Sequence, residues 1–187
     1  MEEEIKKAYE IIRKGGIILY PTDTVWGIGC DATQADAVKR IYELKQRPGT
    51  KSMLVLIDSP SHLAYYMDEL PPIALDLIAC ADRPLTIVYP EARNVAPALI
   101  APDGTLAIRV THEGFSQGLC RKLKRPLVST SANRSGQPAP ACFAEIRDEI
   151  VRSVDYVVHY RREETQPATP SAILRLGKGG QINIIRK

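Results

Sequence analysis

The chain has 187 residues, 44% of them hydrophobic and 25% charged, which is enough for one full hydrophobic core and short for two. These proportions exclude a disordered chain, and a net charge of +3 permits an anionic ligand or nucleic acid without demanding either. The acidic opening Met-Glu-Glu-Glu-Ile is unlike a basic targeting peptide, and no apolar run approaches the roughly 18 residues of a membrane span. A soluble cytoplasmic protein with no membrane partner is expected.

In chain order, Ile5, Ala8, Ile11 and Ile12 recur at helical spacing from Glu2 to Lys14, and Gly15-Gly16 stops the helix. Short apolar runs at 17–20 and 25–30, bounded by Pro, Gly and Asp, read as strands. Ala37, Val38, Ile41 and Leu44 share one face of a second helix, with Thr33 or Gln34 near its cap. It breaks at Arg47-Pro48-Gly49, so Lys45 and Arg47 fall where a helix ends. The continuous run 53–57 suits a strand buried on both faces.

Residues 60–67 and 72–81 look helical, the second with proline at its first turn. A strand at 85–89 leads into an irregular proline-rich connection. Further strands are expected at 105–110, 126–130, 156–159, 172–176 and 182–185, and helices at 113–124 and 143–154. A turn Gly177-Lys178-Gly179-Gly180 separates the last two strands. The elements interleave without strict alternation, which predicts an α/β fold with a mixed parallel and antiparallel sheet and helices on its faces.

Gly27-Ile28-Gly29-Cys30-Asp31-Ala32 fits a dinucleotide-binding pattern only weakly, because the glycines lie inside a strand-like run and no helix follows at once. They read better as points of close backbone approach, with Trp26 and 27–29 forming the wall of a pocket. No P-loop pattern occurs. His62, His112 and His159 lack metal-ligand spacing, so no metal site is expected. Cys30, Cys80, Cys120 and Cys142 form no C-x-x-C pair and read as reduced core thiols.

Lys45 and Arg47 can converge on one anion, the arginine as a planar fork and the lysine as a point charge. Ser129-Thr130-Ser131-Ala132-Asn133-Arg134-Ser135-Gly136 offers hydroxyls, an amide and backbone N–H groups directly after a buried strand, a usual ligand position in an open α/β sheet.

Taken in order, PTDTVWGIG, KQRP, RPLTIVY, LAIRV, STSANRSGQPAP and TPSAIL resemble the YrdC-like family of threonylcarbamoyl-AMP synthases through the whole chain. The resemblance implies a single YrdC-like domain over 1–187, an open twisted sheet with a concave basic cleft, and nucleotidyltransferase activity. L-Threonine and bicarbonate or CO₂ would form N-carboxythreonine, which attacks the α-phosphorus of ATP and releases pyrophosphate. The adenylate would pass to a threonylcarbamoyl-transferase complex that modifies position 37 of tRNA.

By the same resemblance Thr24, Arg109 and Ser171 would hold threonine, the arginine pairing its α-carboxylate. Lys45 and Arg47 would be catalytic and grip the phosphates. Ser129, Ser131 and Asn133 would bind ATP, and Mg²⁺ would ride on the triphosphate. The chain departs from the family pattern at Leu56, where a threonine-contacting histidine is common, and at Ser52, Asp82-Arg83 and Ser171-Ala172. Two other readings stand beside this one: a non-catalytic double-stranded RNA-binding module of the same fold, and a carbamoyl-transfer module like that of hydrogenase maturation. Direct tRNA contact by Lys51, Arg134 or the 121–125 cluster is left open.

Overall fold

The structure, a computed structural model, describes residues 1–49, 51–177 and 180–187. Among these, nine strands form one sheet: β1 (Ile18–Tyr20), β2 (Gly27–Gly29), β3 (Leu54–Ile57), β4 (Leu85–Tyr89), β5 (Leu106–Val110), β6 (Leu127–Ser131), β7 (Tyr156–Val157), β8 (Ala172–Leu176) and β9 (Ile182–Arg186). Their spatial order is β7-β1-β2-β6-β3-β5-β4-β8-β9. The pairs β1/β7, β3/β5 and β4/β8 are parallel and the rest antiparallel, so the sheet is mixed.

Helices α1 (Glu2–Arg13), α2 (Ala35–Lys45), α3 (Ile73–Ala79), α4 (Gly114–Leu123) and α5 (Asp148–Val151) cover the two faces unequally. Val38 and Ile41 of α2 and Ala74 of α3 bury one face over Val55, Ile57, Ile87 and Ile108. On the other face, Ala8 and Ile12 of α1 and Phe115 and Leu119 of α4 pack on Tyr20, Leu56 and Leu127. Each of the larger aliphatic or phenyl side chains here, fully buried, contributes about 1.5–3 kcal/mol relative to exposure, and each alanine less. The alternation along β3 serves both cores, Val55 and Ile57 to one and Leu56 to the other, as the continuous apolar run requires.

β6 joins the halves of the sheet. Its residues Leu127, Val128 and Ser129 pair with β3, and Thr130 and Ser131 pair with β2. The close approach here demands glycine in β2: a Cβ on Gly29 would lie 2.4 Å from the Val128 carbonyl oxygen. The glycines thus belong to an antiparallel strand pair, not to a strand-to-helix phosphate turn.

Several expectations need correction. The 143–154 segment is two short turns, a 3-10 helix at Phe143–Glu145 and then α5, because Ile146 and Arg147 are extended (ψ 125° and 139°) and Ile146 dips into the core. Residues Pro60–Tyr65 form a 3-10 helix rather than an α-helix. Trp26 is not a pocket wall: it is buried against Phe143, ring centroids 4.8 Å apart, on the face covered by α2. Cys80 is exposed at the end of α3, although all four cysteines are free thiols. The turn expected at 177–180 lies partly outside the described residues, at Lys178 and Gly179.

Candidate active site

On the face that α1 and α4 leave uncovered, a cavity of about 400 Å³ is lined by Thr24, Arg47, Arg109, Ser129, Ser131 and Ser171, all singled out from the sequence. Alternation puts Thr86 and Val88 of β4 and Ala107 and Arg109 of β5 on this face. Three arginines, Arg47, Arg109 and Arg186, line the cavity, and among the described residues no carboxylate does.

Thr24 is set by a local turn between β1 and β2. The buried Thr22 hydroxyl donates to the Val25 carbonyl at 2.8 Å, accepts from the Thr24 backbone N–H at 3.0 Å and lies 3.0 Å from the Thr24 hydroxyl. Short hydroxyl side chains favour such turns because they satisfy the backbone locally.

Asp23, next in the same turn, reaches Arg109 with N–O 3.0 Å. Arg109 is 3% exposed and Asp23 13% by side chain. The contact is close in charge but lacks hydrogen-bond alignment: Asp23 Oδ1 and Arg109 Nε are both buried without a hydrogen-bond partner. Burial raises the Asp23 carboxyl above the usual range against the pull of Arg109, and burial lowers Arg109 against the pull of Asp23. Two half-satisfied, largely buried charges are costly, and Arg109 is left with donor capacity at the cavity.

Lys45 behaves differently. It is 1% exposed, and its Nζ donates to the Ser131 and Asn133 carbonyls, both at 2.5 Å, and to Asn133 Oδ1 at 3.3 Å. The loop closes on itself through Ser131 Oγ to Asn133 Oδ1 and Asn133 Nδ2 to the Gln137 carbonyl, both 2.5 Å, while Ser135 N–H bonds the Lys45 carbonyl at 2.9 Å. Lys45 and Asn133 therefore stand behind the cavity wall rather than on it. Burial, with Arg47 beside it, pulls the Lys45 ammonium down to about 7.

Gln46 takes a left-handed conformation (φ 50°) at the end of α2 and swings Arg47 to the rim. There the guanidinium rests on carbonyls, Nε to Lys51 O at 2.7 Å and NH2 to Ser52 O at 2.8 Å. Opposite, Ser171 bonds Thr86 hydroxyl to hydroxyl at 2.8 Å, and Arg186 donates to the Ser171 carbonyl at 2.9 Å. Leu56 lies beside Arg109 in register but is fully buried under α4 and does not reach the cavity.

Sequence reasoning missed Asp23, Thr86 and Arg186. The first two sit inside motifs already noted, and Arg186 offered only a basic residue on the last strand. Among the described residues no cluster of three or more His, Cys, Asp or Glu side chains could hold a metal, and no helix is long and apolar enough to cross a membrane.

The threonylcarbamoyl-AMP synthase of Pseudoalteromonas translucida is 34% identical over 172 residues, covering 90% of this chain and 92% of that protein. That of Idiomarina loihiensis is 37% identical over 149 residues, covering 78% and 80%. Among solved structures, P. abyssi Sua5 complexed with L-threonine superposes with TM-score 0.83 at 28% identity, covering 94% of this chain and 52% of that one, so the chain spans about half the length of Sua5. E. coli YciO gives TM-score 0.86 at 25% identity, covering 100% and 90%. Residues 10–187 match the model of the Sua5_yciO_yrdC family, described as "Telomere recombination". With that match over nearly its whole length, the chain belongs to the Sua5/YciO/YrdC family.

Proposed function

We propose that this chain is a threonylcarbamoyl-AMP synthase, joining L-threonine, bicarbonate or CO₂, and ATP. The observation that carries the reading is Arg109: a buried guanidinium with an orphan Nε, beside a cavity rich in hydroxyls and arginines and bare of carboxylates. Such a lining suits two anionic reactants, whose mutual repulsion is the main obstacle to reaction.

In this reading Arg109 takes the amino-acid carboxylate, with Thr24 and Ser171 closing the same subsite. Arg47, Ser129 and Ser131 face the nucleotide, while Arg186, bonded to Ser171, adds positive charge on the amino-acid side of the concave basic cleft. A carboxylate oxygen of N-carboxythreonine attacks the α-phosphorus as the bond to the β-phosphate oxygen breaks, and pyrophosphate leaves. Arg47 stabilises the charge that builds on the phosphates.

Lys45 acts through the loop it holds, keeping Ser131 and Asn133 in place. Mg²⁺ would ride on the triphosphate oxygens and would neutralise phosphate charge there. Residues 1–187 would act as one domain in the cytoplasm. The adenylate would pass to a threonylcarbamoyl-transferase complex that acts on tRNA.

The test is pyrophosphate release from ATP and bicarbonate with and without threonine. Threonine-dependent release is expected. Release that ignores threonine, or none at all, overturns the reading.

A further inference from the structure

A second groove, of about 640 Å³, opens at the other end of β3, beyond Ile57, away from the cavity that meets Leu54. Its wall is aromatic. Tyr65 is 63% exposed and stands perpendicular to the buried Tyr66, centroids 5.2 Å apart at 89°. The wall is pinned from behind: Asn94 Nδ2 donates to the Tyr65 carbonyl at 2.6 Å, and the Arg93 N–H bonds the Tyr66 carbonyl at 2.9 Å. These bonds fix the backbone that carries the exposed ring, and the edge of Tyr66 supports one side of it.

Among the described residues one carboxylate, Asp58, lines the groove; the nearby Asp31, 1% exposed and outside the lining, accepts from the Thr33 backbone and hydroxyl, Gln34 and Arg125. Asp58 lies 3.0 Å from His62 and 3.9 Å from Arg121. Of the two cations lining the groove, the exposed Lys124 has no side-chain ion pair or hydrogen bond among the described residues. Arg125, 54% exposed, is engaged through NH1 with Asp31 at 2.9 Å and the Thr33 hydroxyl at 3.3 Å, which leaves its NH2 and Nε to a ligand. Lys124 lines the groove from the left-handed C-cap of α4 (φ 54°), which turns its side chain out of the helix end.

We propose that this groove binds a nucleoside phosphate unit, its base stacked on Tyr65 and its phosphate held by Lys124 and Arg125. Stacking on an exposed aromatic ring beside a free cation is how proteins hold single nucleotides and unpaired strands, whatever the base. The unit is either a free mononucleotide or one residue of an RNA strand. The site is separate from the cavity and does not depend on its assignment.

The probes are AMP and a fluorescein-labelled, unstructured ten-nucleotide RNA, titrated against the full chain and its Tyr65→Ala, Tyr65→Phe and Lys124→Gln variants. Tyr65→Ala should weaken binding about tenfold and Tyr65→Phe hardly at all. Lys124→Gln should lower the slope of log K against log salt by about one. Pyrophosphate formation should be unchanged in all three, since neither residue lines the cavity. AMP held in the cavity persists in Tyr65→Ala as a separate class; loss of a second AMP-binding class together with RNA binding supports a free-nucleotide site, and loss of RNA binding alone supports an RNA site. Absence of binding to wild type, or equal binding by wild type and Tyr65→Ala, overturns the proposal.

Discussion

Two walls of the same cavity each bury a cation, and they are opposites. Behind the 131–137 loop, Lys45 spends its donors on three oxygens of the protein itself. On the floor, Arg109 meets one misaligned carboxylate and keeps an orphan Nε. Burial is nearly equal, so burial does not separate a structural cation from a ligand-binding one. Satisfaction does: a complete network is architecture, and an incomplete one waits for a partner.

Breaking the floor should have the largest effect. Arg109→Ala removes the receptor proposed for the threonine carboxylate and leaves Asp23 without its cation. Loss of kcat/KM for threonine by 100-fold or more is expected, with destabilisation of about 3–5 kcal/mol by urea melting. A variant with normal threonine KM would show that the floor is structural after all.

Next comes the wall. Lys45→Met should raise the ATP KM and lower kcat by about 10–100-fold while leaving threonine affinity within about twofold, because it frees a loop and touches no ligand. Faster amide exchange at 131–137 should accompany the loss. Equal loss of threonine affinity would erase the distinction between the two walls.

Asp23→Asn tests the carboxylate that faces Arg109. The amide keeps the shape and loses the charge that orients Arg109, so threonine KM should rise about tenfold with kcat little changed. A fall in kcat at constant KM would contradict this role.

The smallest effect is a pH slope. Burial lowers Lys45 to about 7 when folded, against 10.5 for the free side chain. Between those values the unfolded chain holds the proton and the folded chain does not, so this group adds stability as pH rises through about 7 and adds no more above its unfolded value. Lys45→Met should flatten that rise, measured by urea melts from pH 6.5 to 9. An unchanged slope would place the titration elsewhere.

Patterns read at fixed spacing were the legible part. The 53–57 run and the Gly27/Gly29 pair follow from local alternation and backbone contact, and the sequence exposes both. The 143–154 helix failed because Phe143, Ile146 and Ile150 satisfy helical spacing equally well as two short turns with an extended joint. Trp26 failed for a parity reason: one residue of shift in a strand reverses the face, and Val25 and Gly27 line the cavity instead. Lys45 and Arg47 were rightly placed at a helix end. The left-handed turn at Gln46, invisible in composition, sends one inward and the other to the rim.

The divided pairing of β6 bears on how the molecule folds. Gly27 and Ser131 meet across roughly a hundred residues of chain, so the seam between the half-sheets closes only after a costly loop is formed. Ser131 sits on that seam and Ser129 beside it, so both are expected to take their places late in folding. A ligand lying across it should act as a clasp on the last contacts to form, slowing unfolding more than it speeds folding.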